Sequence, residues 1–144
     1  DVAHPGKALF SWTEDDPAAL PWWSPAGGRI LVQDSGGWRL VDIAARSVRT
    51  LVTFPGAEPT NIAGVSSWRP AAGSPWNAVG DRFVLVGGAQ ALWQGKPLPA
   101  PHGSATGLYV ANPSGAAPTL IDSGADRAPQ WSYLDPSTAF LIMA

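Results

Sequence analysis

Trp23-Ser24-Pro25-Ala26-Gly27-Gly28-Arg29-Ile30-Leu31-Val32 is the stretch on which the fold turns. An aromatic phrase leads through a Gly-rich turn into an apolar run. The phrase returns as Trp68-Arg69-Pro70 and as Trp131-Ser132-Tyr133, and the run returns as Phe83-Val84-Leu85-Val86 and Ala139-Phe140-Leu141-Ile142. An internal repeat of this kind constrains a fold more than any single local pattern.

Outward from the phrase, short runs rich in Val, Ile, Leu, Phe and Trp alternate with Gly, Pro, Asp and Ser clusters, the signature of strands and turns. The expected strands of the first copy are Pro21–Ser24, Ile30–Gln33, Trp38–Ile43 and Val48–Thr53. The second copy gives Val65–Trp68, Phe83–Val86, Leu108–Asn112 and Pro118–Ile121. The third gives only Pro129–Ser132 and Ala139–Ile142. No window has a helical period with caps. The clearest internal match sets Leu40–Val52 against Tyr109–Ile121, each a strand, a turn and a second strand.

The spacing is uneven. Trp23 to Trp68 is 45 positions and Trp68 to Trp131 is 63. The excess places insertions at Ala71–Gly80 and Gly87–Gly107. Insertions that leave strands intact belong in surface loops, which often carry binding.

Composition agrees with a β-rich chain that has a real core. The 144 residues are 45% hydrophobic with eight Trp, and only 14% are charged, against about a quarter in a typical protein. A net charge of −2 with scattered Lys and Arg leaves no electrostatic footprint for nucleic acid. No cysteine is present, so disulfides and thiolate metal sites are excluded. No apolar stretch approaches the roughly 18 residues of a spanning helix. Asp1-Val2-Ala3-His4 is neither a signal peptide nor an initiator start, and Phe140–Ala144 ends on apolar residues inside an expected strand. Both ends are read as cuts in something longer, or as edges completed by another subunit.

Four strands in a unit of about 45 residues is the size of a propeller blade. Pro129-Gln130-Trp131-Ser132 and Val110-Ala111-Asn112-Pro113-Ser114-Gly115 resemble the repeats of TolB-type β-propellers over about residues 20–144. The usual aspartate-glycine turn is replaced by Ala26-Gly27 in the first copy and Ala71-Ala72 in the second. The resemblance implies an all-β fold of antiparallel four-stranded blades, two complete and one partial, covering residues 1–144 in units of about 21–53, 65–121 and 129–144. Ala8–Trp12 is then a strand of a preceding or closing blade. Propellers close with about 4–8 blades, so fewer than three leave blade faces and edges uncovered. The resemblance further implies a non-catalytic binding or scaffold module, periplasmic, cell-surface or secreted. Its partners would be a protein or further copies or blades of the same protein, and no cofactor is expected. The alternative is the propeller part of a prolyl-oligopeptidase-like serine peptidase whose catalytic domain lies outside this chain.

Individual residues are weighed against that frame. Trp23, Trp68 and Trp131 are expected to pack between neighbouring blades rather than to serve as sugar platforms. Trp22 has the opposite face to Trp23. Trp76, Trp93 and His102 lie in the two insertions and are the candidate binding residues, unless the aromatics fold back onto the blade. Asp34-Ser35-Gly36-Gly37 reads as a hairpin turn, because the two histidines, His4 and His102, form no motif with its serine. Glu14-Asp15-Asp16 reads as a solvated inter-strand loop rather than a cation site, since no calcium-loop spacing follows. Asp122 and Asp126 flank a turn.

Overall fold

The computed structural model describes residues 8, 10–16, 19–34, 36–53, 74–88, 90–99, 106–123, 130–131 and 139–140. Among these the chain is all-β, with eleven strands and no helix. The first four are β1 (Leu20–Trp23), β2 (Arg29–Asp34), β3 (Gly37–Asp42) and β4 (Ser47–Thr53). They pair antiparallel in chain order, as sequential hairpins do. Asp34 closes the β2–β3 turn: its Oδ1 accepts the Gly36 and Gly37 amides at 2.7 and 2.9 Å. The expected Asp-Ser-Gly-Gly hairpin is therefore present, while Ser35 itself lies outside the described residues.

The second sheet contains β5 (Phe83–Gly88), β8 (Thr106–Ala111) and β9 (Thr119–Ser123), again antiparallel. Between β5 and β8 run β6 (Leu92–Trp93) and β7 (Lys96–Pro97), joined by Gln94 and Gly95 at φ 49° and 80°. Two successive positive φ values make the turn that suits a two-residue hairpin. This hairpin leaves its own sheet and pairs with β4, Val52 opposite Trp93, so the first sheet has six strands in the order β1-β2-β3-β4-β6-β7. Part of the second insertion is therefore strand that caps the β4 edge of the first unit. Finally β10 (Gln130–Trp131) pairs with β11 (Ala139–Phe140). Neither residue 8 nor residues 10–16 form a strand. Phe10 instead packs, with Ala19, on Ile30, Val32 and Val41.

Hydrogen bonding revises the repeat. Trp76 bridges Phe83 as Trp23 pairs with Ile30. The Asn77 amide donates to the Arg82 carbonyl at 3.0 Å, as Ser24 does to Arg29 at 2.9 Å. The Gly80 amide returns to Asn77 as Gly27 returns to Ser24, and both glycines sit at positive φ, 78° and 75°. Trp76, not Trp68, therefore occupies the place of Trp23, and Ala71–Gly80 contains the opening turn of the second unit. Trp23 to Trp76 is 53 positions and Trp76 to Trp131 is 55, so the apparent 45 and 63 become nearly even. Trp68 and the expected strand Val65–Trp68 lie outside the described residues.

The later strands shift as well. A bulge falls between Trp38 and Arg39 against β4, and the same irregularity falls between Leu108 and Tyr109 against β9. That equates Arg39 with Tyr109, one position away from the match of Leu40 with Tyr109. A one-residue slip exchanges the faces of every side chain, so the difference decides what is buried where.

One core joins the first two sheets. Leu31, Trp38, Leu40 and Val52 from the first meet Phe83, Leu85, Leu108 and Tyr109 from the second. Ile30 and Val32, alternating with Leu31, fall in the separate cluster under Phe10. β2 and β3 are thus covered on both faces, which explains their nearly continuous apolar runs.

Candidate functional site

Trp76 and Trp93, the candidate binding aromatics of the two insertions, are both interior, 3% and 4% exposed. Trp76 stacks edge-on to Phe83 at 5.2 Å between ring centroids. Its indole N–H donates to the Trp22 carbonyl at 3.0 Å, crossing from the second unit to the first. Trp93, part of the first sheet, donates its indole N–H to the Gly115 carbonyl at 3.3 Å, crossing the other way. In this arrangement the two rings stitch the sheets together and offer no outward face. That is the folded-back alternative, and the reason is the apolar area an indole buries once its N–H has a partner. His102 lies outside the described residues.

The seam these rings close is tight. Ser24 Oγ donates to the Gly80 carbonyl at 3.1 Å in a buried bond. A Cβ on Gly80 would lie 2.6 Å from the Ala26 amide nitrogen and would also strike Ser24 Oγ. Asn77, only 1% exposed, holds the second turn in shape. Its Oδ1 accepts the amides of Gly80, Asp81 and Arg82 at 3.0, 3.1 and 3.1 Å, and its Nδ2 donates to Asp81 at 2.7 Å. An Asn side chain commonly closes a turn on the amides that follow it. Nothing in the sequence distinguished Asn77 from any other turn residue.

Trp22 and Trp23 divide as alternation requires. Trp22 stacks on Trp38 with ring centroids 5.6 Å apart and planes 13° apart, at the edge of the common core. Trp23 is 60% exposed, against the expectation that a phrase tryptophan packs between units. The unit that would pack on it is not among the described residues. Trp131 pairs in β10.

A groove of ≈ 630 Å³ opens beside the β2–β3 turn, lined by Glu14, Asp15, Asp16, Asp34 and Arg39 among others. Arg39 is its centre of charge. The guanidinium pairs with Asp34 and, at 2.7 Å, with Glu14 Oε1. Burial works against its charge, but the hydrogen bonds and charges of Asp34 and Glu14 outweigh this and raise its pKa above the ordinary value. Glu14 Oε1 also accepts the Asp16 amide at 3.2 Å. The acidic stretch is therefore not simply solvated. It is anchored to the first sheet by a cation already in place, and among the described residues no three potential ligands gather to hold a metal ion. Arg39 alternates along β3 with Trp38 and Leu40, which enter the common core, and so has the opposite face, where Glu14 meets it.

Among the described residues no helix is long and apolar enough to cross a membrane. No known protein family, curated protein or solved structure matches this chain.

Proposed function

We propose that this chain is a non-catalytic binding and scaffold module made of β-propeller blades of the TolB type, working outside the cytoplasm within a larger propeller or a multi-chain assembly. The observation that carries this reading is the seam between the first two units. Each unit begins with the same Trp, turn and strand, and the second is seated on the first through Trp76 and the Ser24–Gly80 bond. A contact that links one repeat to the next is the elementary step of a repeat architecture, whose stability is approximately a sum of unit and neighbour terms. The extracytoplasmic site rests on the resemblance of the Trp-Ser and Asn-Pro-Ser-Gly stretches. Such assemblies present their binding surfaces through the loops between strands.

Electron microscopy of the protein purified from its source tests the reading. Four-stranded units arranged radially about an axis, each of roughly the length that separates Trp23 from Trp76, are the expected result. Two flat sheets stacked as a sandwich, with no axis, overturn it.

A further inference from the structure

Phe83 and Leu85 are among the residues by which the second unit meets the first. The bridge of Trp76 to Phe83 matches the pairing of Trp23 with Ile30, so their equivalents in the first unit are Ile30 and Val32. Those two side chains, with Val41 opposite Ile30, make the face on which another sheet would sit. They are nevertheless 5%, 2% and 0% exposed. What covers them is not a sheet but the segment before β1, through Phe10 and Ala19. The same segment reaches Arg39, which stands opposite Val32 on that face, through Glu14. Ser11, Thr13 and Asp15 are exposed, so the strap turns a polar side outward, as the terminal cap of a repeat array does.

The strap is held lightly. Among the described residues, residues 10–15 make no backbone hydrogen bond to the first sheet, and side chains alone attach them there. The groove of ≈ 630 Å³ undercuts Glu14, Asp15 and Asp16. Glu14 Oε2 is buried without a hydrogen-bond partner, which is unfavourable only while the strap is down. Segments with few backbone bonds and few buried contacts open locally, well below the free energy of global unfolding. We propose that residues 10–16 are an autoinhibitory strap, latched by Glu14 on Arg39, that fills the inter-unit face of the first unit and must lift before that face can take a neighbouring sheet. This control deepens the scaffold reading and rests on it: the free chain is shielded at this face against association of unit with unit.

Relaxation of methyl protons by a soluble gadolinium chelate, read by NMR on the full chain beside sedimentation velocity, tests this. In the wild type the Ile30, Val32 and Val41 methyls should be relaxed far less than those of Ile121, which is 51% exposed. Glu14→Lys sets a second cation against Arg39 and should raise relaxation at the three residues several-fold, while Leu31 and Leu85 in the common core stay shielded. Its weight-average mass should also exceed that of the wild type at matched concentration, because opened faces bury each other's apolar surface. Asp15→Lys, at an exposed neighbour without a bond to Arg39, should leave both readings as in the wild type. Equal relaxation of Ile121 and the three covered residues in the wild type overturns the proposal without any variant having to fold. Wild-type readings in Glu14→Lys, or equal opening in Asp15→Lys, overturn it as well. Relaxation that rises equally at Leu31 and Leu85 does so too, since the segment would then belong to the global fold. None of these results touches the scaffold reading, which is decided by the radial arrangement seen in the microscope.

Discussion

Trp76→Ala and Trp23→Ala remove the same side chain from equivalent positions, and the seam predicts that their costs differ several-fold. A buried Trp hides about 150–250 Å². At about 25 cal/mol per Å² that is roughly 4–6 kcal/mol as an upper estimate. Large-to-small changes at buried aromatics cost about 3–5 kcal/mol once a cavity is counted. Trp76 also loses its bond to the Trp22 carbonyl, a further ~1 kcal/mol. Trp76→Ala is therefore expected to lower unfolding stability by about 3–5 kcal/mol, a large share of the roughly 5–15 kcal/mol of an ordinary domain. Trp23, 60% exposed, should cost under about 1 kcal/mol. Urea unfolding followed by far-UV circular dichroism measures both without relying on the deleted fluorophore. Equal costs, or a Trp76→Ala loss below about 1 kcal/mol, would show that Trp76 is not the ring that joins the units.

Three further outcomes follow from the same contacts. Asn77→Ala removes the acceptor for three amides and should cost about 2–3 kcal/mol, while Asn77→Asp keeps that acceptor but sets a second carboxylate against Asp81, so its cost in the same urea series should shrink when Asp81→Asn is added. Gly80→Ala and Gly27→Ala share the ~1–2 kcal/mol penalty of a left-handed backbone, but only the former drives a methyl into Ser24 and Ala26. The thermal midpoint of Gly80→Ala should accordingly fall further, and equal shifts would argue against the packed turn. Asp42 has its pKa held below the ordinary value, first by the Ala45 amide at 2.9 Å and then by Arg29. Its contribution is present at neutral pH and lost as pH falls through the depressed folded value. Asp42→Asn should thus lower stability at neutral pH, leave it unchanged below the depressed folded value and so flatten the acid limb of a stability–pH profile; a steeper acid limb would reverse the sign.

Much of the fold was legible because strands carry their own periodicity. β2, β3 and β4 were located within a residue or so, since Ile30–Gln33, Trp38–Ile43 and Val48–Thr53 are apolar or β-branched runs between turn residues. The repeat was visible but misregistered. Trp68-Arg69-Pro70 matched the phrase by residue type, whereas Trp76 matches it by function: the same offset to the strand, the same turn bonds and the same glycine. Asn77 stands where Ser24 does, and the two polar groups differ enough in sequence to conceal the match. The β6–β7 hairpin was missed for a similar reason. Its turn is Gln94-Gly95 rather than Asn-Gly or Asp-Gly, so it lacked the usual signal. The site was the least legible. Whether Trp76 and Trp93 face outward depends on the Trp22 and Gly115 carbonyls, which lie 54 and 22 residues away in the chain. No local pattern encodes such partners.

Hydrogen exchange of the indole N–H protons, resolved by NMR and assigned with single Trp→Phe variants, tests the seam most directly. In dilute protein the Trp76 proton, buried and donated to the Trp22 carbonyl, should exchange only through opening of the structure, at a free energy near that of global unfolding. The Trp23 proton, at the equivalent but open position, should exchange almost as fast as in a free peptide. Comparable protection of the two protons, or faster exchange at Trp76, would contradict a second unit seated on the first through that ring.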